Sequence, residues 1–155
     1  GMVAIIGLDI AGVEKICAAA QEKSGKKIGI ANYLMDGNYA ISGAIEACEA
    51  AKEIAPEMGA RMAVSLAVAG AFHTDFMEPA VAQLRKALDE VEIKETRIPV
   101  ISNVGATTHT DPASIRDLLA QQVTTPVQWE TIVTRMVKAD DFETCYELGP
   151  GTVCR

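Results

Sequence analysis

The sequence predicts an α/β protein in two parts, residues 1–68 and 69–155, and three observations lead there. Short apolar runs of strand character fall between stretches of helical period along the whole chain. Up to residue 68 they come in the order strand, helix, strand, strand, helix, strand, a βαββαβ succession. That is the split βαβ unit with ferredoxin-like connectivity, a small antiparallel sheet with two helices on one side. Beyond a Gly-Ala-Phe-His-Thr turn at 70–74 there are few strands for the helices present. A covered sheet in that second part is therefore expected to be completed by residues outside this chain.

Residues 2–7, Met-Val-Ala-Ile-Ile-Gly, form the first strand. Asp9 caps a helix running to about Gln21, with Val13, Ile16, Cys17 and Ala20 on one face. Ser24-Gly-Lys-Lys27 is a loop. Residues 28–34 and 38–42 are strands joined at Asp36-Gly37, a dipeptide suited to a tight hairpin. Ser42 reads as the cap of a second helix over 43–55, with Ile45, Cys48, Ala51 and Ala55 inward. In 61–68 Met62, Val64, Leu66 and Val68 alternate with small residues, the pattern of a buried strand, and Gly70 ends the run. Met77, Val81, Leu84, Leu88 and Val91 then define one face of a helix reaching about Glu90.

Ile98-Pro-Val-Ile-Ser102 reads as a short buried strand and 105–111 as a polar loop in which His109 is exposed. Asp111-Pro112 supplies a cap and a first-turn proline for a helix to Gln122. Thr125-Pro-Val-Gln128 reads as a capping box with proline at the first helical position. Its helix is expected to bury Trp129, Ile132, Val133 and Met136. Residues 142–148 read as a last strand, closed by Gly149-Pro-Gly151.

A net charge of −7 argues against broad nucleic-acid binding, which needs a basic footprint. No apolar run reaches the length of a membrane span, and no targeting segment is visible at the start. The cysteines Cys17, Cys48, Cys145 and Cys154 lack metal-ligand spacing, so the expectation is no metal and, in a reducing compartment, no disulfide. Ser65, Ser102 and Ser114 lack the elbow context of a nucleophile. His73 sits where a strand ends and a helix begins. The positive end of the helix dipole there favours the neutral ring, the form a general base requires. A histidine after a strand is by itself more often structural than catalytic; the motif around it changes that reading.

Several separated motifs occur in order: Gly1-Met-Val-Ala-Ile-Ile-Gly-Leu-Asp9, Ile30-Ala-Asn-Tyr33, Gly37-Asn-Tyr-Ala-Ile-Ser-Gly43, Val68-Ala-Gly-Ala-Phe-His-Thr74, Met77-Glu-Pro-Ala80, Ile98-Pro-Val-Ile-Ser-Asn-Val104, Gln122-Val-Thr-Thr-Pro-Val-Gln-Trp129 and Glu147-Leu-Gly-Pro-Gly151. With these the chain resembles the C-terminal half of the malonyl-CoA:acyl-carrier-protein transacylases, in wording most like plant and algal forms. The resemblance implies an α/β-hydrolase-like core with a ferredoxin-like small subdomain inserted. Residues 1–68 would be that subdomain, and 69–155 the C-terminal part of the large acyltransferase subdomain. It implies ping-pong transfer of malonyl from coenzyme A to an enzyme serine, and then to the phosphopantetheine thiol of acyl carrier protein in fatty acid synthesis. It implies no cofactor beyond the coenzyme A thioester substrate, and a plastid or mitochondrial location, otherwise cytoplasmic.

Carried over by motif, His73 matches the general base and Gln122 the residue whose backbone carbonyl orients the ring, as a carboxylate does in other triads. Phe72 matches the position that tunes acyl choice, and Asn32 is the candidate polar substrate contact. The family's Gly-His-Ser-Leu-Gly nucleophile turn, its malonyl-binding arginine and its upstream glutamine loop are absent from these 155 residues. Leu34-Met-Asp-Gly-Asn38 replaces the usual Asn-x-Pro-Gly-Gln. The expected partners are therefore malonyl-CoA, acyl carrier protein and an N-terminal half carrying the serine, and the fragment alone is expected to be inactive. The competing expectation is a non-catalytic binding or assembly subunit derived from the same fold.

Overall fold

The computed structural model describes residues 1–139 and 142–149. Its first part is a four-stranded antiparallel sheet of β1 (Met2–Ile6), β2 (Ile28–Met35), β3 (Asn38–Gly43) and β4 (Met62–Ser65), in the order β2-β3-β1-β4. Helices α1 (Ile10–Ser24) and α2 (Ile45–Glu57) complete the βαββαβ succession. Val3, Ile5, Ile28, Tyr39 and Ile41 alternate along the strands and enter one core with Val13, Ile16, Cys17 and Ala20 of α1. That core also takes Ala47, Cys48, Ala50, Ala51 and Ala55 of α2, so both helices cover the same face. Burying each such large aliphatic side chain is worth about 1.5–3 kcal/mol. The other face carries a smaller cluster of Met2, Ala31 and Ala40.

Local signals set these boundaries. The Asp9 carboxylate accepts the Gly12 N–H at 2.8 Å, capping α1, which runs to Ser24 rather than Gln21 and ends on left-handed Gly25. Gly37 supplies the positive φ of 75° that the hairpin turn demands. Ser42 is not the cap of α2. It lies inside β3 with its hydroxyl donating to the Gly1 carbonyl at 3.2 Å, and α2 begins after Ala44 without a side-chain cap. The strand continues through Gly43, where only glycine fits: a side chain there would stand 2.4 Å from the Lys27 carbonyl oxygen. Ile45 is 68% exposed at the start of α2, and alanines line the inward face instead.

The strand expected over 61–68 is shorter and is not buried. β4 is an edge strand that pairs with β1, and its small Ala63 packs on the core. Met62 and Val64 project the other way, and Met62 is 48% exposed.

The second part contains a short 3₁₀ turn (Asp75–Met77) leading into α3 (Glu78–Asp89), then β5 (Val100–Ile101), β6 (Thr108–His109), α4 (Pro112–Gln121) and α5 (Trp129–Val137). Asp111 caps α4 through the Ser114 N–H at 2.8 Å, with Pro112 in its first turn. Four expectations fail here. The strand at 98–102 shrinks to two residues, with Val100 exposed and Ile98 73% exposed outside it. The polar stretch 105–111 holds β6, which pairs with β5 and half-buries His109. Residues 142–149 are not a strand; Leu148 is 94% exposed, with no described neighbour strand to pair against. Finally, α5 starts at Trp129 with Gln128 as an uncapped entry, and Trp129 and Met136 are half-buried while Val133 is exposed. Pro126 cannot open that helix because Val127 is committed elsewhere: its N–H donates to Ala31 O at 2.8 Å and its carbonyl accepts from Tyr33 N at 2.9 Å. The closing Pro150-Gly151 and Cys154 lie outside the described residues.

Candidate active site

The Asn32–Val127 bridge is the backbone seam that brings the two parts together. It anchors the segment that leaves α4. The last carbonyls of a helix have no partner within it, and here they and carbonyls just beyond α4 find partners outside the helix. Gln121 O accepts from Thr124 and Thr125 N–H at 3.1 and 3.0 Å. Val123 O accepts the His73 N–H at 3.0 Å. Gln122 O accepts the His73 ring at Nδ1, 2.8 Å away, and Thr125 O lies 3.2 Å from the same nitrogen.

A carbonyl oxygen can only accept, so Nδ1 carries the proton. The neutral ring then keeps its lone pair on Nε2, for which no described residue supplies a hydrogen bond. The geometry fixes both the tautomer and the ring orientation with neutral dipoles alone. Thr125 was not anticipated from the sequence. The one signal was Pro126, which biases its predecessor to extended backbone and leaves that carbonyl outside any helix.

His73 reaches these carbonyls in a left-handed conformation, φ 61°, unusual for a residue with a side chain and of the kind that gathers at functional sites. Two contacts hold it there. Its own N–H is tied to Val123 O, and the Thr74 hydroxyl donates to Ala71 O at 2.6 Å, closing the turn. The half-buried ring borders a cleft of about 340 Å³ shared with Lys27, Ser42, Asp75, Phe76 and Thr124. Lys27 Nζ and the Asp75 carboxylate stand 3.8 Å apart at its rim, both largely in solvent, a pairing worth little.

Of the four sequence candidates, the structure joins His73 and Gln122 directly. Phe72 precedes His73, 37% exposed, but is not in the wall of that cleft. Asn32 belongs to the seam rather than the cleft wall; its Oδ1 is buried with no hydrogen-bond partner among the described residues. Cys17, Cys48 and Cys145 are free thiols, and burial, with smaller contributions from Cys48 and Glu14, pushes the Cys17 thiol up to about 12. Among the described residues no group of three His, Cys, Asp or Glu is placed to hold a metal ion, and no helix is long and apolar enough to cross a membrane.

No family model matches the chain. Individual proteins do. It is 37% identical over 152 residues to the malonyl CoA-acyl carrier protein transacylase of Bacillus subtilis, covering 98% of this chain and 47% of that protein. It is 37% identical over 161 residues to a transacylase of Mus musculus described as mitochondrial, covering 97% of this chain and 42% of that protein. The crystal structure of an acyl-carrier-protein S-malonyltransferase from Burkholderia pseudomallei superposes with a TM-score of 0.83 at 35% identity, over 89% of this chain and 44% of that one. The curated homologues and structural neighbours are thus malonyl-CoA:acyl-carrier-protein transacylases, and this chain spans under half the length of the relatives it matches.

Proposed function

We propose that this chain is the general-base part of a malonyl-CoA:acyl-carrier-protein transacylase and works with a further segment that delivers the nucleophilic serine. The observation that carries the proposal is the 2.8 Å hydrogen bond from His73 Nδ1–H to the Gln122 carbonyl. It leaves Nε2 as the only ring atom able to take a proton.

In the proposed reaction Nε2 accepts the serine hydroxyl proton as the oxygen attacks the thioester carbonyl of malonyl-CoA. The tetrahedral intermediate collapses to malonyl-serine, and the proton goes to the departing coenzyme A sulfur. The pantetheine thiol of acyl carrier protein then gives its proton to the same nitrogen and takes the malonyl group, restoring the serine. Two peptide carbonyls orient the ring without the full stabilisation of imidazolium that a carboxylate gives. Phe72 selects the acyl group and Asn32 contacts substrate in this reading, with no cofactor beyond the thioester itself. Residues 1–68 serve as the ferredoxin-like subdomain and 69–155 as the C-terminal part of the large one. Either organelle is a compatible location, the mitochondrion by analogy with the mouse relative.

The test joins this chain to a segment bearing a Gly-x-Ser-x-Gly turn and follows intact mass after adding malonyl-CoA. A malonyl-serine adduct that discharges on adding holo carrier protein is expected. No adduct with the native chain, or equal adduct with His73→Ala, would favour the non-catalytic subunit.

A further inference from the structure

Phe72 presents one side to solvent, so the position of its ring depends on what stands behind it. Its Cε2 edge comes close to Gly70, which carries no side chain. A methyl group placed on Gly70 would stand 3.1 Å from Met77 Sδ, 3.8 Å from Met77 Cε and 3.7 Å from Phe72 Cε2. The thioether and the ring edge therefore border the same bare Cα. The Met77 backbone is in turn fixed: its N–H donates to Thr74 O at 3.0 Å, it closes the 3₁₀ turn, and it heads the half-buried side of α3. Thioethers pack favourably against aromatic edges.

We infer that Met77, seated over Gly70, is a positioning residue that holds the Phe72 ring and thereby sets how well a branched acyl group is excluded. The inference rests on the reading above, in which Phe72 faces the acyl group. A wall that can retreat rejects an extra methyl less well than a backed one. Gly70→Ala would force the thioether aside by a few tenths of an ångström.

Two measurements test this. In this chain the Met77 ε-methyl protons should show a ring-current shift in NMR, lost in Phe72→Leu. An unshifted methyl overturns the seat regardless of any activity. In the enzyme assembled with its serine segment, Met77→Ala should raise the methylmalonyl-to-malonyl ratio of kcat/KM about 3- to 10-fold, a fraction of the discrimination one methyl commands. Met77→Leu, similar in volume, should stay near the parent ratio. A parent enzyme selective for malonyl whose ratio is unmoved by Met77→Ala overturns this inference alone. A parent that transfers neither group overturns the function on which it rests.

Discussion

Residues 2–65 and 69–139 are both α/β material, yet they bury their apolar residues to very different degrees. In the first region Val3, Ile5, Val13, Ile16, Tyr39 and Ile41 are fully enclosed between one sheet and two helices. In the second the buried residues are chiefly small or isolated: Ala71, Leu88, Ala106, Ala120, Val127 and Ile132. Meanwhile Leu66, Val68, Phe76, Ile98 and Val100 face outward at the junction and beyond. The first region encloses a core of its own. The second has the pattern of a layer whose partner is elsewhere, and His73 stands near the boundary, where a segment from outside could meet it.

The contrast is sharpened most by truncating matched side chains. Ile41→Ala should cost about 2–5 kcal/mol in chemical denaturation, whereas Val100→Ala should stay within about 0.5 kcal/mol. Equal losses would break the comparison. Next in size is association. The outward apolar residues of β4 and the following segment form an unprotected edge, so this chain alone should self-associate in analytical ultracentrifugation. Leu66→Lys should shift it toward monomer, and a monodisperse parent chain would contradict the reading.

A smaller effect follows from titration. Burial is the first cause raising the thiols of Cys17, to about 12, and Cys48, and the phenols of Tyr33 and Tyr39, all in the first region. The folded chain keeps these protons at a pH where the unfolded chain releases them. Their contribution is therefore fully present below about pH 8.5 and is lost as pH rises toward 12. The urea midpoint should fall between pH 7.5 and 10.5, and Cys17→Ala should flatten that decline. The smallest expected effect is Gln122→Ala, which keeps the carbonyl that holds His73. It should leave transfer within a few-fold of the parent enzyme, while His73→Ala should lower it by at least about 10²-fold.

How much was legible in the sequence follows the same division. The helical face Val13, Ile16, Cys17 and Ala20 is buried residue for residue, and Asp9, Asp111 and Gly37 act at the ends and turn their chemistry suggests. These are local signals with local causes. Ser42 misled because a hydroxyl before a helix resembles a cap whether or not the strand has ended. Thr125-Pro126 misled because Val127 pairs with β2 across nearly a hundred residues, which no window of sequence contains. The strands expected at 98–102 and 142–148 depend on neighbours that the described residues do not supply. The approach of His73 to Gln122 spans 49 positions and could be expected only from the family resemblance, not from spacing.

The central claim concerns one proton. The ¹⁵N spectrum of His73, taken in mildly alkaline solution with the ring neutral, reads its tautomer directly. The account predicts a protonated Nδ1 and a bare Nε2. A spectrum showing the proton on Nε2 would mean that the ring does not donate to the Gln122 carbonyl and has no lone pair to offer an incoming serine.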